Sequence, residues 1–237
     1  MQLYLVRHGK PDYETDTLLP EGREQARQTA GRLSRYGISA IYSSPMGRAK
    51  ETAQPLADML GLPVQIEPWA YELGAETQTR WPDGEKKRLI RISSTHFLQP
   101  AYRKLNDEEA LEQVDGFTDS ELPRRYRELS EGLDGLLARH GYERTKEGFY
   151  LPVRPNGDKI ALFCHCGMTR VLLSHMLHIP FQYVMTVFFG SHAGITLVEF
   201  NPDVTGPLVP DLRSYGDIGH LENSVPEIIR KPDVIYP

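Results

Sequence analysis

The sequence predicts an α/β fold: a three-layer α/β/α sandwich around a mostly parallel central sheet. Three observations predict it. From residue 2 to about residue 66, apolar strand-like runs alternate with amphipathic helical stretches, an order that favours parallel strands with helices on both faces. Two runs, Gln2-Leu3-Tyr4-Leu5-Val6 and Lys159-Ile160-Ala161-Leu162-Phe163-Cys164-His165, are almost continuously apolar, as strands buried on both faces are. Each breaks off at a reactive side chain and a glycine, Arg7-His8-Gly9 in the first and His165-Cys166-Gly167 in the second. Open α/β sheets hold their ligands at such strand ends.

The elements follow in order. A polar loop, Gly9 to Thr17, leads to Leu18-Leu19-Pro20-Glu21-Gly22, where a helix starts; Ala26, Ala30 and Leu33 share one face of it and Gly37 ends it. Ile38 to Ser43 reads as a second strand. Ser44-Pro45 reads as the cap and first turn of a helix that runs to Leu60 and stops at Gly61. Val64-Gln65-Ile66 is a short third strand. From about Gly74 to Asp119 the pattern is irregular and highly charged, with short helical pieces. It reads as an insertion, with a lid over the strand ends and a surface elaboration equally weighted. A long amphipathic helix follows near Glu121 to His140, closed by Gly141. Phe149 to Val153, with Asn156-Gly157 just after, suggests an edge hairpin. After the strand at 159–165, a helix is predicted over Met168 to Leu177, a strand over Ile195 to Phe200 and a last strand near Pro207 to Leu212. The tail from Asn223 reads as extended. The whole chain, 1–237, is expected to form one domain carrying the insertion.

Composition narrows the function classes. The chain has 237 residues, 40% of them hydrophobic and 25% charged, with a net charge of −5. That suits a globular protein and carries no basic tract for nucleic acid. No apolar stretch reaches the roughly 18 residues of a membrane span, and the N-terminus begins directly with a strand. The two cysteines, Cys164 and Cys166, flank one residue, so a disulfide between them would be strained. These features predict a cytoplasmic protein with no nucleic-acid or membrane partner; a homo-oligomer is compatible with the sequence.

Four stretches carry the chemistry: Arg7-His8-Gly9, the block from Ser43 to Thr52 containing Ser44-Pro45 and Arg48, Trp69-Ala70-Tyr71-Glu72, and Phe163-Cys164-His165-Cys166-Gly167. A neutral imidazole attacks phosphorus. A guanidinium holds two phosphoryl oxygens at once. A helix N-terminus with an added arginine is a ready anion site. Gly9 lets the backbone turn or approach a ligand closely. Cys-His-Cys in consecutive positions splits across both faces of a strand, which argues against a metal site.

The chain resembles the histidine phosphatase superfamily, with its phosphoglycerate mutase-like fold. The resemblance rests on Arg7-His8-Gly9, on Ser43-Ser44-Pro45-x-x-Arg48-Ala49-x-x-Thr52, on His165-x-Gly167, and on Leu18-x-Pro20-Glu21-Gly22-x-x-Gln25-Ala26. It covers roughly residues 1 to 73 and 120 to 200. It implies that His8 accepts the phosphoryl group, that Arg7, Arg48 and a protonated His165 bind its oxygens, and that Glu72 is the proton donor, with Glu76 a rival. It implies a small phosphorylated metabolite as substrate and no metal or other cofactor. His192 is a candidate pocket residue and equally a turn residue; Arg170 reads as structural. Lys86, Lys87, Arg88 and Arg91 read as a solvated helix face, with contact to a second anionic group of the substrate as the minor alternative. Three activities follow: a phosphomonoesterase, a mutase and a non-catalytic phosphate-binding scaffold. Mutases of this type carry Glu-Ser and Trp-Asn after the first glycine. Here the chain reads Lys10-Pro11-Asp12-Tyr13-Glu14, so the phosphatase is the favoured expectation.

Overall fold

A computed structural model describes residues 1–74, 77–80, 86–87, 120–201 and 203–221. Most of the 74–119 insertion, including Glu76, Arg88 and Arg91, and the tail from Asn223 lie outside the described residues. Six strands form the main sheet: β1 (Gln2–Arg7), β4 (Ala40–Ser43), β5 (Val64–Ile66), β10 (Lys159–Cys164), β11 (Ile195–Glu199) and β12 (Asp211–Asp217). Their spatial order is β12-β11-β1-β10-β4-β5. The pairs β1–β10, β10–β4 and β4–β5 are parallel, while β11 and β12 join antiparallel at one edge. Two-residue strand pairs flank the sheet, β2 (Pro11–Asp12) with β3 (Thr17–Leu18) and β6 (Thr79–Arg80) with β7 (Lys86–Lys87). A third small pair is β8 (Tyr142–Arg144) with β9 (Tyr150–Pro152).

Among the described residues the α-helices are α1 (Pro20–Leu33), α2 (Gly47–Leu60), α3 (Leu122–Arg139), α4 (Cys166–Leu177) and α5 (Phe181–Val187). The two-residue period of the strands sorts the core into two layers. Leu3 and Leu5 of β1 and Ile160, Leu162 and Cys164 of β10 face α3 and α4. Tyr4 and Val6 of β1 and Ala161 and Phe163 of β10 face α1 and α2, against Ala30, Leu33, Ala53 and Leu56. A strand buried on both sides has no polar face to display, which is why β1 and β10 read as continuous apolar runs.

Several boundaries differ from expectation, each for a local reason. Helix α2 begins at Gly47, not at Ser44-Pro45. Its N-terminal N–H on Gly47 is met by Asp16 Oδ2 at 2.6 Å, and Ser44 is used elsewhere. Helix α4 begins at Cys166, directly after His165. The hairpin partner of β9 is β8, upstream of it, and not a strand beyond Asn156-Gly157. The last strand is β12, displaced from the predicted 207–212. Helix α5 was not expected. Its Phe181, Val184 and Met185 are buried, while Tyr183 and Val187 are exposed, as is Phe189 just beyond it. Two glycines bring the first loop against α1: a Cβ on Gly9 would meet Gly22 O at 2.5 Å, and one on Gly22 would meet Lys10 O at 2.1 Å. Among the described residues no helix is long and apolar enough to cross a membrane.

Candidate active site

The topology delivers the chemistry to one edge. β1, β10 and β4 are parallel neighbours, so the residues after them emerge at the same end. Arg7 stands level with Cys164, and Phe163 with Ser43. His8 and His165 are therefore side by side, with ring centroids 5.2 Å apart. Strand β11 runs the other way, so the loop that precedes it, Gly190 to Gly194, arrives at this same edge. It brings the His192 ring to 5.5 Å from that of His8.

His8 is 2% exposed. Its Nδ1 lies 2.8 Å from Gly9 O. A carbonyl only accepts, so Nδ1 carries the proton and Nε2 of the neutral ring keeps its lone pair. Burial pushes the His8 pKa down, and the nearby His165, Arg7 and Arg48 push it the same way against the Gly9 hydrogen bond. The main chain around His8 is fixed as well. Its N–H donates to Cys164 O at 3.0 Å, its carbonyl accepts the Ala193 N–H at 3.1 Å, and the Gly9 N–H donates to Thr52 Oγ1 at 3.0 Å.

Arg7 donates from Nη1 to Gly190 O at 2.5 Å and from Nη2 to His192 Nε2 at 2.9 Å. Arg48, 6% exposed, donates from Nη1 to Asp16 Oδ1 and from Nη2 to Met46 Sδ. The Tyr13 ring stands over its guanidinium, with 5.6 Å to the centroid. His165 Nε2 lies 2.7 Å from Ser44 Oγ. Ser44 Oγ also accepts the Met46 N–H, which ties the start of α2 to His165 through one hydroxyl. Burial, opposed by Glu72 and assisted by Arg48, pushes the His165 pKa down to about 4. Burial and the nearby guanidiniums thus work against the protonated His165 expected from the sequence, while the Glu72 carboxylate works for it. Among the described residues, the buried nitrogens Arg7 Nε, Arg48 Nε and His165 Nδ1 have no hydrogen-bond partner. Burying polar groups unpaired is costly, and here all three belong to residues whose charges act on His8.

Glu72 reaches the same edge from the chain after β5. Its carboxylate accepts the N–H groups of Leu73 at 2.9 Å, Gly167 at 3.1 Å and Met168 at 2.8 Å. A Cβ on Gly167 would stand 2.8 Å from Glu72 Oε1, so this glycine is what admits the carboxylate to the start of α4. Burial pushes its pKa up, but His165 and the three N–H donors outweigh that, and the carboxyl lies below its ordinary value.

Sequence reasoning missed Asp16. It has a left-handed φ of 54°, which aspartate tolerates, and its two oxygens serve Gly47 N–H and Arg48 together. No local pattern marks it, because both partners lie 31 and 32 residues further along the chain. Asp16→Asn places an amide N–H against one of two donors. The expected loss is about 1.5 kcal/mol, or tenfold weaker inhibition by vanadate. Equal inhibition of variant and parent would show that Asp16 does not hold Arg48. Arg170 is buried and structural as expected, donating from Nε to Phe188 O at 2.6 Å.

A parallel sheet bearing two histidines and two arginines at one edge defines a class. The chain belongs to the histidine phosphatase superfamily (branch 1), whose sequence profile matches residues 3–208. Curated relatives include the probable phosphoglycerate mutase GpmB of Enterobacter sp. (strain 638). It is 35% identical over 158 residues, a span covering 60% of this chain and 70% of that protein. Among solved structures, phosphoserine phosphatase from Entamoeba histolytica, crystallised as a variant with phosphoserine, shares the fold with a TM-score of 0.60 at 21% identity. That match covers 93% of this chain and 98% of the other. Mycobacterial glucosyl-3-phosphoglycerate phosphatase matches with a TM-score of 0.56 at 20% identity, over 90% and 98% of the two chains.

Proposed function

We propose that this protein is a metal-independent phosphatase that hydrolyses a small phosphorylated metabolite in the cytoplasm through a phosphohistidine on His8. The observation that carries the reading is the set of nitrogens on Arg7, Arg48 and His165 that have no partner among the described residues, beside a His8 whose Nδ1 proton is held by Gly9 O, which leaves the lone pair on Nε2. Unit charges about 4 Å apart attract by about 4 kcal/mol at an effective dielectric of about 20. Two guanidiniums therefore offset much of the charge on a phosphoryl group, and positioned charge is most of what a protein offers this reaction.

In the first step the Nε2 lone pair of His8 forms a bond to phosphorus, the ester P–O bond breaks, and the leaving oxygen takes a proton from Glu72. The substrate bound as its monoanion supplies that proton to a carboxyl that is otherwise ionised. In the second step water attacks phosphorus, its proton returns to Glu72, and the P–N bond breaks to release phosphate and neutral His8. The purified protein is expected to hydrolyse p-nitrophenyl phosphate in EDTA; no turnover of it or of a panel of phosphorylated metabolites would refute the reading. Glu72→Gln is expected to slow phenyl phosphate by about 10²-fold and p-nitrophenyl phosphate far less, because only the poorer leaving group needs the acid. Equal slowing of both would take the donor role away from Glu72.

The names of the curated relatives favour a second reading, a mutase that returns the phosphoryl group to a bound product. Lys10-Pro11 after Gly9 counts against it. Phosphoryl transfer to a second metabolite in place of water would establish the mutase.

A further inference from the structure

Arg125, the fourth residue of α3, is 0% exposed. A guanidinium so buried persists only where its partners are well placed. Its Nη2 donates to two backbone carbonyls, Trp69 O and Tyr71 O, each at 2.7 Å. Its Nη1 donates to Glu128 Oε2 at 2.9 Å, and its Cζ lies 3.3 Å from the centroid of the Tyr71 ring. The Tyr71 hydroxyl donates to that same Glu128 oxygen at 3.2 Å. Further along the same helix, a Cβ on Gly132 would come within 2.2 Å of the Trp69 ring, and Arg139 pairs with Glu67, which also accepts the Trp69 Nε1–H at 2.6 Å.

One face of α3 thus grips residues 67–71. That stretch belongs to no helix or strand; its main chain is tied at Glu67 N–H to Ser43 O and at Ala70 N–H to Glu67 O, and the Trp69 and Tyr71 carbonyls are held by Arg125. The Tyr71 carbonyl belongs to the peptide unit that leads into Glu72, so holding it sets the direction in which the Glu72 side chain leaves the backbone. From there Glu72 spans to the N–H groups of Gly167 and Met168 beside His165.

We infer that Arg125 is a positioning residue: it sets the placement of the Glu72 carboxyl against the leaving-group oxygen. The inference rests on the reading of Glu72 as proton donor.

The test compares kcat/KM for phenyl phosphate with kcat/KM for p-nitrophenyl phosphate in one enzyme preparation. The ratio cancels the amount of folded protein, so a purely structural loss leaves it unchanged. Glu72→Gln sets the benchmark. Arg125→Met is expected to lower the ratio at least about fivefold, in the direction of Glu72→Gln, and Arg125→Lys to recover part of it. Should Arg125→Met not accumulate as folded protein, Arg125→Lys and Glu128→Gln carry the same comparison, each with a lowered ratio. Unchanged ratios in the Arg125 and Glu128 variants, with a lowered one in Glu72→Gln, overturn the inference alone. An unchanged ratio in Glu72→Gln overturns the donor reading and the inference with it.

Discussion

Replacing His8 by alanine is expected to lower phosphatase activity by about three orders of magnitude or more, while the protein stays folded. The groups named around His8 favour a neutral ring. The Gly9 carbonyl holds Nδ1–H, which leaves Nε2 bare. Burial first, then His165, Arg7 and Arg48, keep the ring from taking a second proton. The sign matters: a histidine with an ordinary pKa near 6.5 would lose its nucleophilic form on mild acidification, whereas a depressed pKa keeps that form. Side-chain NMR of His8 is therefore expected to show a neutral ring from pH 8 down to pH 5. A titration near 6.5 would contradict the electrostatic account. The fold itself does not need the imidazole, because the main chain of His8 and Gly9 is held by Cys164, Ala193 and Thr52. Alanine keeps all of those bonds.

The second large effect is expected at Arg48. Removing a preorganised donor of charge from a site that stabilises a transition state costs about 10²- to 10³-fold in rate, and Arg48→Ala removes a fixed cation and leaves Asp16 without its guanidinium partner, held by the Gly47 N–H. Lysine is expected to restore little. A single ammonium cannot bond Asp16 and also present a second donor in the fixed fork that Arg48 uses. The two residues act as one unit, so Asp16→Asn in the Arg48→Ala background should add little to the loss in kcat/KM. Full additivity in that double-mutant cycle would show that Asp16 and Arg48 contribute separately.

Much of the site was legible because its chemistry sits at strand ends. Arg7-His8-Gly9 and His165-Cys166-Gly167 each close an apolar run, and parallel strands put such ends together. The two-sided burial of β1 and β10 made both strands plain. What stayed hidden depends on contacts between distant residues. Ser44 reads as a helix cap from the proline beside it; its hydroxyl lies against His165, the cap position is Met46, and the first helical N–H, on Gly47, is met by Asp16. The Gly190 carbonyl that fixes Arg7 belongs to a loop placed by the antiparallel run of β11, and nothing in the sequence of that loop announces its partner. Helix α5 was missed because Phe181-Gln182-Tyr183-Val184-Met185-Thr186-Val187 is short and rich in β-branched and aromatic residues, a composition that favours strand. Arg125 gave no signal, since a charged residue among others on an amphipathic helix reads as solvated until its burial is seen.

The central claim is the covalent intermediate, and rapid quenching tests it most directly. The protein is mixed with a phosphomonoester labelled in its phosphoryl group and stopped within the first turnover. The account predicts label on the chain that is stable to base, labile to acid, located on His8 and absent from His8→Ala. Label on another residue, or full retention of label in His8→Ala, would contradict it.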